Sequence, residues 1–265
     1  MNFGLIVIGD EILSGKRQDK HLPRVIELLA ARGLALSWAR CAGDDRGLIT
    51  PVLQDAFAGG DLVFSCGGIG AMPDDHTRQC AAAALGVPLV LHPGARDLIR
   101  ERMREVAAEQ GLPFEPERPD NLHRLNMGMF PEGAALIPNP YNKTPGFSVA
   151  SVHFVPGFPV MAWPMIEWVL DTHCRSLHGQ RAKRERSVIV YGSMEATLTP
   201  LMEAVERCFA GVKVFSLPCV DEQHVHGWHI ELGVKGPADM AEDAFVVLRQ
   251  GLEALAAHCG PEVVR

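Results

Sequence analysis

The stretch Gly67-Gly68-Ile69-Gly70, followed by Asp74, Asp75 and Thr77, combines residue types suited to chemistry on a phosphate. Glycines at a strand end let backbone N–H groups approach an anion, and the N-terminus of a following helix adds the positive end of its dipole. Two aspartates beside a phosphate would repel it unless they hold a metal ion, accept protons from ligand hydroxyls or position water. The combination points to phosphoanhydride chemistry with a divalent cation, with Asp74 and Asp75 as candidate metal ligands. The plainer reading is a tight turn with Asp74 or Asp75 capping a helix, and a short glycine motif fits both.

Other reactive side chains have plainer explanations. His224, His226 and His229 look like a metal cluster, since residues two apart on a strand share a face, yet a solvated hairpin is the plainer reading. Cys66 ends an apolar run and reads as core. His76 is placed for a general base or for solvent. Trp163, Trp168, Met161 and Met165 recur at helical spacing, which suggests a packing or subunit face.

The elements that must position the glycine turn follow from the apolar pattern. Phe3 to Ile8 and Asp61 to Ser65 are short, continuous apolar runs, as in strands buried on both faces of a parallel sheet. The first ends in Gly9-Asp10-Glu11 and the second in Cys66-Gly67-Gly68. Between them, 22–32 reads as a helix stopped by Gly33, 35–42 as a strand, and Asp44 as the cap of a helix ending at Gly59-Gly60. A further helix opens at Asp74 to Thr77 and another spans 95–110. Alternating strands and helices predict right-handed crossovers, with ligands gathered at the carboxyl ends of the strands. The expected fold is α/β, a mostly parallel sheet in three layers over residues 1–178. A basic linker at 179–186 and a small α+β module of βαββα order over 187–265 complete the predicted organisation.

A net charge of −7 and a pI near 5.9 argue against nucleic acid or an anionic membrane as partner and for a small molecule. Seven scattered cysteines without a CxxC pair suit a reducing cytoplasm. The start of the chain lacks the basic segment and cleavage site of a signal peptide.

Five motifs occur in a characteristic order: Gly9-Asp10-Glu11-Ile12-Leu13-Ser14-Gly15, the glycine turn with Asp74-Asp75-His76-Thr77, Pro131-Glu132-Gly133-Ala134, Asn139 through Pro145-Gly146, and Pro156-Gly157-Phe158-Pro159. In this the chain resembles the competence/damage-inducible protein A (CinA) family, whose N-terminal domain is similar to the molybdopterin-binding domain of the MogA and MoaB proteins. The similarity covers about residues 3–175, and Gly192-Ser193-Met194-Glu195 resembles the start of the family's KH-type module. The resemblance implies either hydrolysis of nucleotide pyrophosphates such as ADP-ribose or FAD with magnesium, manganese or cobalt, or binding and adenylylation of molybdopterin, while the altered residues Ala71, Met72 and Asn142 point to a second class, binding of a pterin or nucleotide without turnover. A structural or interaction protein is the third class.

By the same resemblance, Asp75 is the main catalytic or metal-positioning acid, with Asp44 or Asp45 a second acid. Gly67, Gly68 and Gly70 cradle phosphate with Asp74 and Thr77 beside them. Gly9, Asp10, Glu11 and Ser14 line the opposite side, Pro145-Gly146 and Pro156-Gly157 shape the rim, and Asn139 and Lys143 are further ligand-binding candidates. A homo-oligomer is expected, because the family's members form dimers and trimers. The family's C-terminal amidohydrolase domain has no room in this chain, so deamidase activity is expected to be absent. The chain departs from the family pattern at Ala71 and Met72, where hydrolytic members read Pro-Thr, and at Asp19-Lys20-His21, Arg124 to Gly128 and Asn142-Lys143-Thr144. Lys20, His21, Arg124 and Lys143 offer replacement positive charge.

Overall fold

Every residue of Phe3–Ile8 is buried, as an apolar run between two helical layers requires. The computed structural model describes residues 2–179, 183–220 and 227–264. The chain divides into two compact units, Met1–His178 and Gly179–Arg265.

The first unit runs β1 (Phe3–Ile8), α1 (Asp10–Leu13), α2 (His21–Ala30), β2 (Leu36–Ala42), α3 (Arg46–Gly59), β3 (Leu62–Cys66), α4 (Thr77–Leu85), β4 (Leu89–Leu91), α5 (Pro93–Glu109), α6 (Pro119–Arg124), β5 (Met129–Pro131), β6 (Ala135–Ile137), β7 (Gly146–Val149), β8 (Val152–Val155) and α7 (Pro159–His173). Its main sheet has the order β2-β1-β3-β8-β7-β6. β1 pairs in parallel with β2 and β3, and β3 with β8, whereas β7 is antiparallel to both its neighbours. The expected α/β fold with a mostly parallel sheet is the one that forms.

Alternation along β1 divides the interior. Leu5 and Val7 pack with Phe64, Leu29, Met165 and Val169 on the α2/α7 side. Ile6 and Ile8 pack with Ile49, Leu53, Ala81 and Phe154 on the α3/α4 side. A parallel sheet covered on both faces is the physical reason these strands read as unbroken apolar runs rather than alternating ones. Phe130, Phe147 and Phe154 stack in sequence, with ring centroids 4.6 and 4.4 Å apart, and fasten β5, β7 and β8 together. Trp163 and Trp168 are half-buried against the α2/α7 core, so packing accounts for the face they form.

Two cap assignments differ from expectation. Asp45, not Asp44, caps α3, its Oδ1 accepting the Gly47 N–H at 2.7 Å. α4 begins at Thr77, leaving Asp74 and Asp75 in the preceding turn.

The second unit is β9 (Lys183–Tyr191), α8 (Glu195–Cys208), β10 (Lys213–Cys219), β11 (His229–Pro237), α9 (Ala238–Ala254) and β12 (His258–Val264). The strands form an antiparallel sheet of order β10-β11-β9-β12, packed on α8 and α9. β12 extends the expected βαββα order. Its register shifts between Cys259 and Glu262, which accommodates Gly260 and Pro261 on an edge strand. The basic run expected to be linker through Arg186 is strand from Lys183. Within that strand Arg186 pairs with Glu242 and with Glu262, the latter at 2.7 Å, and lies over the Phe245 ring at 4.5 Å. His224 and His226 lie outside the described residues. Among the described residues no helix is long and apolar enough to cross a membrane.

Candidate functional site

The carboxyl ends of β1, β3 and β8 and the loop entering β7 surround a cavity of ≈ 390 Å³ in the first unit. A parallel sheet gathers its strand exits on one edge. Because β7 runs the other way, the segment leading into it, Asn139–Pro145, arrives at that same edge.

The floor is the glycine turn. Gly67 has φ 108° and Gly68 φ 68°, and a Cβ at either would run into the Ile8 carbonyl or the Thr77 hydroxyl. The Gly67 N–H is taken by the Val155 carbonyl at 3.0 Å. The N–H groups of Gly68, Ile69 and Gly70 donate to no other group among the described residues, and all three residues line the cavity. Successive unpaired amides of this kind form an anion-binding concavity. Thr77 holds the turn from behind. It is fully buried, its hydroxyl donates to the Gly67 carbonyl at 3.0 Å and its N–H to the Gly68 carbonyl at 3.0 Å.

Carboxylates face this floor. Glu11, Asp44, Asp74 and Asp75 all line the cavity. Asp75 Oδ2 accepts the Met72 N–H at 2.7 Å, closing the loop that precedes α4. Asp44 and Asp10 exchange backbone-to-carboxylate hydrogen bonds, Asp10 N–H to Asp44 Oδ2 at 2.8 Å and Asp44 N–H to Asp10 Oδ1 at 3.2 Å. Burial raises the Asp44 carboxyl above the usual carboxylate range; the Asp10 N–H opposes this, and the neighbouring charges of Asp10, Glu11 and Asp74 add to it. A carboxyl so placed is suited to holding or passing a proton. Arg17 is the single Lys or Arg among the lining residues.

The walls are apolar and hydrogen-bonded in place. Met72, Met127, Phe158 and Met161 offer polarisable surface for a flat ring. His123 Nε2 donates to the Ala71 carbonyl at 2.8 Å, which ties α6 to the turn. Asn139 Nδ2 donates to Asn142 Oδ1 at 2.8 Å and to the Thr144 carbonyl at 2.9 Å, and Asn142 Nδ2 contacts Met161 Sδ at 3.4 Å. His21 Nε2 donates to the Gly157 carbonyl at 2.9 Å and so fixes the β8 exit.

Of the residues expected at the site, Gly9, Glu11, Asp44, Gly67, Gly68, Gly70, Asp74, Asp75, Asn139, Pro145 and Gly157 line the cavity. Asp10, Ser14, Asp45, Thr77, Lys143 and Gly146 do not. Asp10 braces Asp44, Ser14 closes α1 on the Asp10 carbonyl, Asp45 caps α3 and Thr77 buckles the turn. Gly146 is buried in β7. Lys143, at φ 62°, spends its ammonium on Glu101 at 2.7 Å and on Glu105. Arg17, Met127, Asn142, Thr144, Phe158 and Met161 were not expected from the sequence; their proximity to the turn arises only from tertiary closure. Among the described residues no three His, Cys, Asp or Glu side chains converge to hold a metal ion. Ions of the magnesium type use one or two carboxylates together with waters and substrate phosphates, so the acids beside the anion turn suit a cation that arrives with a phosphate ligand rather than one caged by the protein alone.

A family model described as probable molybdopterin binding domain matches residues 4–175. A CinA-like protein of Anaeromyxobacter dehalogenans is 34% identical over 185 residues, 68% of this chain and 43% of its own length. Another from Geobacter sulfurreducens is 28% identical over 269 residues, 100% of this chain and 61% of its own. The chain thus spans about half the length of these relatives. In fold, the crystal structure of the protein CinA, with unknown function, from Thermoplasma acidophilum superposes with a TM-score of 0.54 at 24% identity, covering 64% of this chain and 98% of that one.

Proposed function

The chain belongs to the CinA family, residues 4–175 being a probable molybdopterin binding domain, and from that premise we propose that the cavity binds a small molecule carrying a phosphate on a flat heteroaromatic ring, a pterin or a nucleotide. The observation that carries this reading is the row of three unpaired amides at Gly68, Ile69 and Gly70, facing a wall of Phe158, Met127 and Met161. Amides without a partner inside the protein are suited to phosphate oxygens, and thioether and aromatic side chains to a ring. Calorimetric titration with AMP and FMN tests it, beside a Gly68→Val variant that forces a branched side chain into positive φ against Thr77. Saturable binding that is lost in the variant is expected. Binding unchanged by the substitution overturns the placement of the phosphate.

Turnover at the same site is a second reading, favoured by Asp44, Asp74 and Asp75 opposite the turn and by the raised proton affinity of Asp44. Hydrolysis of a nucleotide pyrophosphate such as ADP-ribose or FAD is the reaction proposed, with Asp44 as proton-handling group. Incubation with ADP-ribose, FAD and NAD, with and without magnesium, manganese or cobalt, distinguishes the readings. AMP release establishes hydrolysis; binding without product over long incubation leaves a pterin- or nucleotide-binding protein or an adenylyltransferase relative.

A further inference from the structure

Arg78 is the second residue of α4 and only 3% exposed. Its Nη2 donates to the Gly70 carbonyl at 2.5 Å, while Nε and Nη1 are buried with no hydrogen-bond partner. Among the described residues no carboxylate forms an ion pair with it; Asp75 acts on it only at longer range. A guanidinium so deep is expensive to keep without a counter-charge, and helix surface positions offered by this short helix would have cost nothing. Burial pushes its pKa down to about 10, which leaves it cationic at neutral pH.

The cavity mouth needs that charge. Glu11, Asp44, Asp74 and Asp75 line it and repel an anion, and the lining cation, Arg17, is exposed and therefore screened by salt. Arg78 does not line the cavity. It sits on the far side of the turn whose amides face inward, shielded from water, where a fixed charge acts most strongly. We propose that Arg78 is the positioning and specificity-determining residue of the site: held on the Gly70 carbonyl, it fixes the amide turn and supplies the buried positive charge that makes the cavity select phosphorylated over unphosphorylated forms of one ligand. This rests on the phosphate-binding reading above.

The test compares AMP with adenosine and FMN with riboflavin, by calorimetry, on the whole chain and on Arg78→Gln and Arg78→Lys variants, with thermal melts to verify folding. Gln keeps a donor for Gly70 and removes the charge; Lys keeps the charge. Wild-type protein is expected to prefer the phosphorylated partner, Gln to lose about tenfold in that preference with nucleoside affinity unchanged, and Lys to stay within about threefold of wild type. The wild-type preference should also persist at high ionic strength, because a buried charge is little screened. A folded Gln variant with the wild-type preference, or a Lys variant that loses it, overturns the role of Arg78 while the phosphate-binding reading stands; wild-type protein that binds both partners equally overturns that reading as well. Wild-type protein that binds none of the probes overturns the phosphate-binding reading and this inference together.

Discussion

Asp75 and Met72 hold each other twice: the Asp75 carboxylate accepts the Met72 N–H at 2.7 Å, and the Asp75 N–H donates to the Met72 carbonyl at 3.1 Å. The acid that faces the cavity is therefore also a clasp of the loop carrying Ala71 and Met72. An alanine there removes charge and clasp at once, whereas asparagine keeps an acceptor for the Met72 amide. Asp75→Ala should destabilise the protein by about 1 kcal/mol and Asp75→Asn by much less, measured by denaturant unfolding. Equal losses would mean that the clasp contributes nothing and that only the charge matters.

Asp44 carries strain of an electrostatic kind. Its carboxyl is raised above the ordinary value by burial and by the charges of Asp10, Glu11 and Asp74. The folded protein therefore binds that proton more readily than the unfolded chain, and stability tied to Asp44 declines as pH rises through its folded pKa. Asp44→Asn, which retains an acceptor for the Asp10 N–H, should raise the melting temperature by on the order of 2 °C at pH 7. If turnover occurs, the same variant should lose most of it. A lowered melting temperature would show that the Asp10–Asp44 exchange of hydrogen bonds outweighs the repulsion.

His153 gives the opposite pH dependence. It lies buried between Phe64 and His173, with Nδ1 2.7 Å from the Ser148 hydroxyl. Burial, with a smaller contribution from His173, lowers its pKa from 6.5 to about 4. The unfolded chain then takes up the proton first. Stability from a neutral His153 is complete above about pH 6.5 and falls as pH drops toward 4, by on the order of 3 kcal/mol. Urea melts across that interval should show the slope, and His153→Phe should flatten it. An unchanged slope in the variant assigns the acid sensitivity elsewhere.

The cysteines should separate into reactive and inert classes. Cys41 and Cys208 are exposed, while Cys66, Cys80 and Cys174 are buried. Burial pushes the Cys66 and Cys80 thiols up and takes Cys174 up to about 11. Titration with a thiol-specific reagent should modify Cys41 and Cys208 in the native protein and the buried three only in denaturant. Rapid native labelling of Cys66 would mean that the end of β3, and with it the amide turn, opens readily.

Local chemistry made much of the fold and the floor of the site legible. The unbroken apolar runs of β1 and β3 announced a doubly covered sheet, and the glycines after β3 announced a turn that tolerates positive φ at Gly67 and Gly68. Residues whose partners are distant in sequence could not be read. Lys143 resembled a phosphate ligand until α5 brought Glu101 and Glu105 to it. Thr77 resembled a ligand hydroxyl, but the carbonyls of the turn claim it. Arg78 drew no notice, because nothing local reports the burial of this residue in the first turn of a helix. β12 was missed because Gly260 and Pro261 break the alternation that marks a strand, and an edge position forgives both.

The reversed direction of β7 has a consequence for how this site can change. The floor is made of strand exits that are locked into a shared sheet, so altering their length would disturb β1, β3 and β8 together. The wall at Asn139–Pro145 instead feeds a four-residue strand and is closed by its own hydrogen bonds. Insertions or exchanges there can reshape the ring compartment while the anion turn keeps its form, so ligand identity is separable from phosphate capture and can diversify at little risk to folding.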